Sequence, residues 1–232
     1  KNPEFVYQLG LVKEKRNDST AFPMFLYAYV LDKNHQNALY KFAKYSAEGR
    51  NFNKAKKLIE DGLEADPNST RFLQLKAVVA YVQKEYHLAA STYETLLERK
   101  QSNIQLHENL AVSYSQTNRF EEAIEQYTIL INEYDDKNPL DESYFALAAV
   151  FKKQQAYKKQ FEALQKAVQE NPENQAALYF LATAADNYFE DDASVIPYYE
   201  TYLATFGANG KFSEFAKQRI KDIKTDIHFN KN

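Results

Sequence analysis

Residues 103–135 read NIQLHENLAVSYSQTNRFEEAIEQYTILINEYD, and the spacing of large and small residues in this stretch decides the fold. Leu110, Ala111 and Tyr114 share one helical face, and Phe120, Ala123, Tyr127 and Ile131 share another, with a polar turn between the two runs. The trio of large, small and large residues also occurs earlier, as Phe52, Ala55, Ile59 and as Tyr86, Ala89, Tyr93. Its alanines, Ala55, Ala89 and Ala123, are 34 residues apart. Twelve residues before them lie Ala43, Ala77 and Ala111, and the same place recurs at Ala148 and Ala182 after steps of 37 and 34. Two amphipathic helices per period follow, for example Leu39, Phe42, Ala43 and Ser46, then Phe52, Ala55, Ile59, Gly62 and Leu63, with a turn at Glu48 to Asn51. No strand pattern of similar length competes.

Two helices in a hairpin approach to about 8–10 Å only where the contact points carry little bulk, so Ala43 is expected to meet Ala55. The larger flanking residues then fill the space between one hairpin and the next, and each repeat completes the core of its neighbour. Gly10 and Gly62 fall at such small places, and Gly49 lies in a hairpin turn. Pro3, Pro23 and Pro197 sit in first helical turns, where a missing amide hydrogen costs little, while Pro67, Pro139 and Pro172 separate repeats. After Gly207 and Gly210, residues Lys211 to Ile227 carry Phe212, Phe215, Ala216, Ile220, Ile223 and Ile227 as a helix expected to close the end of the stack.

The places of Asn109, Leu110, Ala111, Tyr114, Phe120, Ala123, Tyr127 and Ile131 resemble the tetratricopeptide repeat family, and the resemblance covers nearly the whole chain. It implies an all-α, right-handed α-solenoid of about six helix-turn-helix repeats and a C-terminal capping helix. As a single solenoid domain over 1–232, the repeats fall at about 1–35, 36–69, 70–103, 104–140, 141–174 and 175–210, with the cap at 211–227. The chain departs from the family pattern at Asp136 to Pro139, which lengthen one junction, and at Gln160 and Val195, which replace the second-helix alanine. No tryptophan opens any repeat.

Composition excludes several functions. The 232 residues include 29 Lys and Arg against 32 Asp and Glu, a net charge of −3, so no broad basic field exists to attract nucleic acid. The longest apolar run, Ala21 to Leu31, is too short to span a membrane. The absence of cysteine removes disulfides and thiolate chemistry but fits a reducing or an oxidising compartment equally. Met24 is the only methionine and the numbering opens at Lys1, so residues are expected to have preceded it. Asn17-Asp18-Ser19 and Asn68-Ser69-Thr70 match a glycosylation acceptor but read as caps or turns.

Catalysis has no visible apparatus: no nucleophile elbow, no glycine-rich loop after a strand and no paired carboxylates. His35, His87, His107 and His228 lack metal-ligand spacing and read as turn or surface histidines, and no cofactor is expected. Glu190-Asp191-Asp192 reads as a solvated turn rather than a calcium loop. Lys152, Lys153, Lys158 and Lys159 gather at one turn, as hydrated surface or as a receiver for an acidic segment. The informative surface is the concave face of successive first helices. Its residues are Tyr40, Lys44 and Ala47, then Gln74, Val78 and Tyr81, then Glu108, Val112 and Ser115. Further along come Phe145, Ala149 and Lys152, then Tyr179, Thr183 and Asp186, with Asn37, Arg71 and Gln105 at the rim.

Tyrosine-rich and mixed, this face suits a peptide or protein segment bound by a non-catalytic scaffold. The alternative is a carbohydrate or small-ligand binding helical module of an envelope-associated assembly, and self-association through an end helix is a third reading. Some family members clamp a chaperone's terminal carboxylate with lysine, asparagine and arginine side chains on successive first helices. Here the corresponding window offers Tyr40, Lys44, Leu75, Gln105 and Asn109, too few cations for that role. The small-contact register makes a direct prediction for stability. Ala111→Leu or Ala123→Leu should destabilise a predominantly helical chain by about 1–3 kcal/mol through overpacking, measured by denaturant unfolding; neutral results at both would break the register.

Overall fold

A computed structural model describes residues 2–133 and 140–229. The lengthened junction at Asp136 to Pro139 lies outside the described residues. Among them the secondary structure is helical throughout: α1 (Pro3–Lys15), α2 (Ala21–Leu31), α3 (Gln36–Glu48), α4 (Phe52–Ala65), α5 (Thr70–Val82), α6 (Tyr86–Glu98) and α7 (Ile104–Gln116). Then come α8 (Phe120–Glu133), α9 (Leu140–Lys153), α10 (Tyr157–Glu170), α11 (Gln175–Tyr188), α12 (Ile196–Phe206) and α13 (Ser213–Phe229), with 3-10 turns before and after α12. Helices pair as antiparallel hairpins, and the chain divides into two compact units, one ending at Leu106 and the next beginning at His107. The all-α repeat architecture read from the sequence is the architecture observed.

The small places do what their size allows. Ala43, Ala55, Ala77, Ala89, Ala111, Ala123 and Ala182 are completely buried, and Ala148 nearly so. A Cβ on Gly62 would run into the Phe72 ring, and one on Gly10 would stand 2.7 Å from the Phe25 ring, so both glycines mark close helix approach. Around them in the first unit, Leu39, Phe42, Leu58, Ile59, Phe72 and Val79 form one core. In the second unit Phe161, Leu164, Leu181, Val195, Tyr199 and Tyr202 form another. Gln160 and Val195, at places where alanine is otherwise found, are also buried, and the Gln160 side-chain oxygen has no hydrogen-bond partner. Pro3, Pro23 and Pro197 stand in the first turns of α1, α2 and α12.

The turns repeat as regularly as the helices. Residues with positive φ stand at Asn17, Arg50, Lys84, Asn118 and Gln155, in the turns of the first five hairpins, and at Lys100 between α6 and α7. The amide after each donates to a carbonyl five residues back: Asn51 to Ser46 and Glu85 to Ala80 at 2.8 Å, Arg119 to Tyr114 and Ala156 to Phe151 at 2.9 Å. This satisfies carbonyls left over at the helix end and reverses the chain in few residues. The left-handed position beside Gly49 is therefore filled by Arg50, while Gly49 itself has φ −76°. Between hairpins, Asp32, Asp66 and Asn171 accept from the amides of Asn34, Asn68 and Glu173 at 2.9–3.1 Å, and the next helix starts two residues after each donor.

A non-glycine residue in the left-handed region carries a steric cost that glycine avoids. Lys84→Gly should therefore raise unfolding free energy by about 0.5–1 kcal/mol. Denaturant melts of the two proteins check this, and a loss of stability would show that the lysine side chain contributes more than its backbone strain removes.

Candidate binding groove

Helices α3 and α5 are first helices of successive hairpins, and their facing sides enclose a cavity of about 460 Å³. Tyr40, Lys44, Ala47 and Glu48 of α3 make one wall. On α5, Leu75, Val78, Val79 and Val82 supply an apolar row at spacings of three and four, with Gln74 beside it. Arg50 and Phe52 close the end at the hairpin turn. Two of these valines remain open to solvent, Val78 at 41% and Val82 at 53% exposure, so the row offers apolar surface to a ligand.

The rim is polar and held in place. Lys44 Nζ stands 3.7 Å from a Glu48 carboxylate oxygen. Arg71 donates to the Asn37 side-chain oxygen, and its guanidinium lies 5.3 Å from the centre of the Tyr40 ring. Tyr40 in turn meets Phe72 edge-on at 5.5 Å, which orients the phenol from below. Of the residues read from the sequence, Tyr40, Lys44, Gln74 and Val78 thus line one cavity, Asn37 and Arg71 stand together above Tyr40, and Tyr81 packs edge-on against Tyr86 at 6.1 Å. The sequence reading did not include Leu75, Val79 and Val82 as wall residues, although their helical spacing announces them. Leu75, in the place a carboxylate clamp needs a polar donor, belongs to the apolar wall.

The remaining groove residues belong to the second unit. Glu108 is half-buried, and burial followed by the Glu142 charge pushes its carboxyl above the ordinary range. Val112 is half-buried, and Phe145 leans on Phe180 at 5.7 Å. Ser115, placed on the open face by the sequence reading, is buried, and its carbonyl accepts from Lys153 at 3.0 Å. The terminal helix covers the last hairpin. Tyr179 stacks on Phe212 at 4.5 Å, and Asp186 accepts from the Tyr199 hydroxyl and from Arg219 of α13, whose Nη2 lies 3.0 Å away. Burial and then the Asp186 hydrogen bond raise the Tyr199 hydroxyl, while the same carboxylate holds Arg219 in its charged form. Tyr179 and Asp186 are therefore seats for α13.

Two further readings change with the structure. His107 is buried and bonded through Nδ1 to Gln126 at 2.8 Å, and His35 caps α3 while facing Glu4 at 3.0 Å, so neither is a plain surface histidine. The lysine turn is partly committed: Lys153 is bound to Ser115, Lys158 stands 3.9 Å from Glu162, and Lys159 lies over Phe151. Among the described residues, no three His, Asp or Glu side chains converge on a metal position, and no helix is long and apolar enough to cross a membrane.

The tetratricopeptide repeat family model matches residues 40–104 and 75–142, the stretch that holds the cavity. Residues 40–142 carry tetratricopeptide repeats, and the rest of the chain continues the same helical fold. It superposes on the C-terminal part of a repeat-containing protein of Cytophaga hutchinsonii with a TM-score of 0.77 and 16% identity, covering 94% of this chain and 88% of that one. YrrB, described as a repeat protein with an unusual peptide-binding site, matches with a TM-score of 0.65 and 16% identity over 84% of this chain and 97% of that chain. MamA matches with the same score and identity over 76% and 94%. At these identities the likeness is one of fold. No curated protein matches the sequence.

The cap contact makes its own prediction. Asp186→Asn should speed amide exchange in α13 while leaving exchange in α3 and α5 unchanged, because it weakens a charge-assisted bond between α11 and α13. Equal exchange in both proteins would show that Phe212 and Ile223 hold the helix without it.

Proposed function

We propose that this protein is a non-catalytic interaction scaffold that holds a segment of another protein in the α3–α5 cavity. The observation that carries the reading is the exposed apolar row Val78 and Val82 beside Tyr40, framed by Lys44, Glu48 and Arg50. Burying two valines and the face of a tyrosine rewards an apolar side chain, and the charged rim orients the backbone that carries it. The family resemblance supports the same class, and YrrB is described as binding a peptide. A wall built largely from Leu75, Val78, Val79, Val82 and Phe52 offers few partners for sugar hydroxyls, which places the carbohydrate reading second.

Peptides selected from a random library against the folded chain test this. Tyr40→Ala and Val78→Asp should each weaken the selected peptides by about 1 kcal/mol or more, with thermal unfolding showing that both variants fold. Changing Lys158 and Lys159 to alanine should leave affinity at moderate salt unaltered. Unchanged affinity in both pocket variants would move the site off these helices.

A further inference from the structure

The charges around the α3–α5 cavity do not balance. Of its lining residues, Lys44, Glu48 and Arg50 are charged, and Lys44 faces Glu48 at 3.7 Å, so the carboxylate of the wall has a cation of its own. Arg50 is exposed and forms no ion pair among the described residues. Its place at the mouth is fixed by the backbone: φ is 57°, and its amide donates to the Ala47 carbonyl at 2.9 Å. Toward the other end, Arg71 of α5 lies 5.3 Å from the centre of the Tyr40 ring and 5.5 Å from that of Phe72. It donates to the Asn37 side-chain oxygen, a neutral partner that leaves its charge uncompensated and most of its N–H groups free. Lys13, Lys41 and Lys56 of the same unit, in contrast, each face a carboxylate at 3.1, 2.5 and 2.6 Å. A single unpaired cation on a surface is ordinary, but two guanidiniums that bracket an apolar floor give the groove one sign of charge.

We infer that the occupant of this cavity is an extended acidic segment of another protein, with one carboxylate side chain at Arg71, a second at Arg50, and apolar side chains between them against Val78 and Val82. The inference rests on the reading of the cavity as the binding site and adds the charge and length of what it holds. Arg71 is in the first turn of α5, and Val82, which lines the cavity together with Arg50, is its last residue, about 16 Å further along the helix. An extended chain covers that length in about five residues. A guanidinium suits each end because its planar fork meets a carboxylate through two parallel hydrogen bonds. Tyr40 and Phe72 hold the Arg71 plane before a ligand arrives, which lowers the cost of ordering it. The two cations stand at opposite ends of an apolar floor, not around one point, so the pattern selects internal acidic residues at a fixed separation rather than a chain terminus.

Peptides selected from a random library against the folded 232-residue chain, then sequenced, test the inference. The selected set should carry Asp or Glu at two places about five apart with an apolar residue between them. Arg50→Glu and Arg71→Glu should each weaken these peptides about tenfold by setting like charges together. A peptide with lysine in place of one acidic residue should regain affinity for one of the two variants and not for the other. That reciprocal exchange separates a direct contact from a loss of folding. Peptides that Val78→Asp weakens but that lack the acidic pattern, that bind both arginine variants as well as the native chain, or whose charge exchange restores nothing would overturn the inference while leaving the cavity as the binding site. Peptides indifferent to both Tyr40→Ala and Val78→Asp would instead overturn the cavity reading, and this inference with it.

Discussion

The structure rests on one steric constraint, the close crossing of paired helices at residues with almost no side chain. Ala43 and Ala55, Ala77 and Ala89, and Ala111 and Ala123 are all fully buried, and Gly62 leaves room for Phe72 that a methyl group would take. Once two helices approach at such points, the large residues on either side have only one place to go, which is outward into the next hairpin. Phe72 illustrates the consequence: it belongs to α5 but completes the core of Leu39, Leu58 and Ile59. The period of 34 residues is the length of chain needed to return to the same contact. It recurs in the turns, from Arg50 to Lys84 to Asn118, because the same reversal is made each time.

The helices and their small contacts were legible because periodicity reports burial directly. Much of the binding surface was less so. Counting from each small residue picks out Tyr40, Lys44, Gln74 and Val78, which line one cavity, since all four depend only on helix geometry. It overlooked Val82 and Arg50, which reach that cavity from the ends of a helix and a turn, and it assigned Tyr179 and Asp186 to an open face. Their occupation by Phe212 and Arg219 depends on where the terminal helix docks, a contact 33 residues away that no local pattern encodes. Gly49 gives a similar lesson on a smaller scale. A glycine in a tight turn invites the left-handed position, yet the hydrogen bond from Asn51 to Ser46 places Arg50 there.

Function follows from what repetition leaves uncovered. Stacked hairpins bury their small contacts and ridges, and among the large apolar residues that stay exposed two groups share a helix face: Val78 and Val82 beside Tyr40, and Phe5, Leu9 and Val12 on α1. Both groups are built on rigid helices, which spares a bound segment the cost of ordering its receptor. They differ in shape. The first is a concavity of about 460 Å³ that fits a side chain and its neighbours, and the second is a helix face that fits another helix.

The central claim is that the α3–α5 concavity is where a bound protein segment lies. The most direct measurement is a map of backbone amide shifts on the isotope-labelled chain as a selected peptide is added. The account predicts shifts concentrated at Tyr40, Lys44, Gln74, Val78 and Val82, with the amides of α6 and of the C-terminal half of α4 unmoved. Shifts confined to α4 and α6 or to α13, with Tyr40 and Val78 silent, would contradict it.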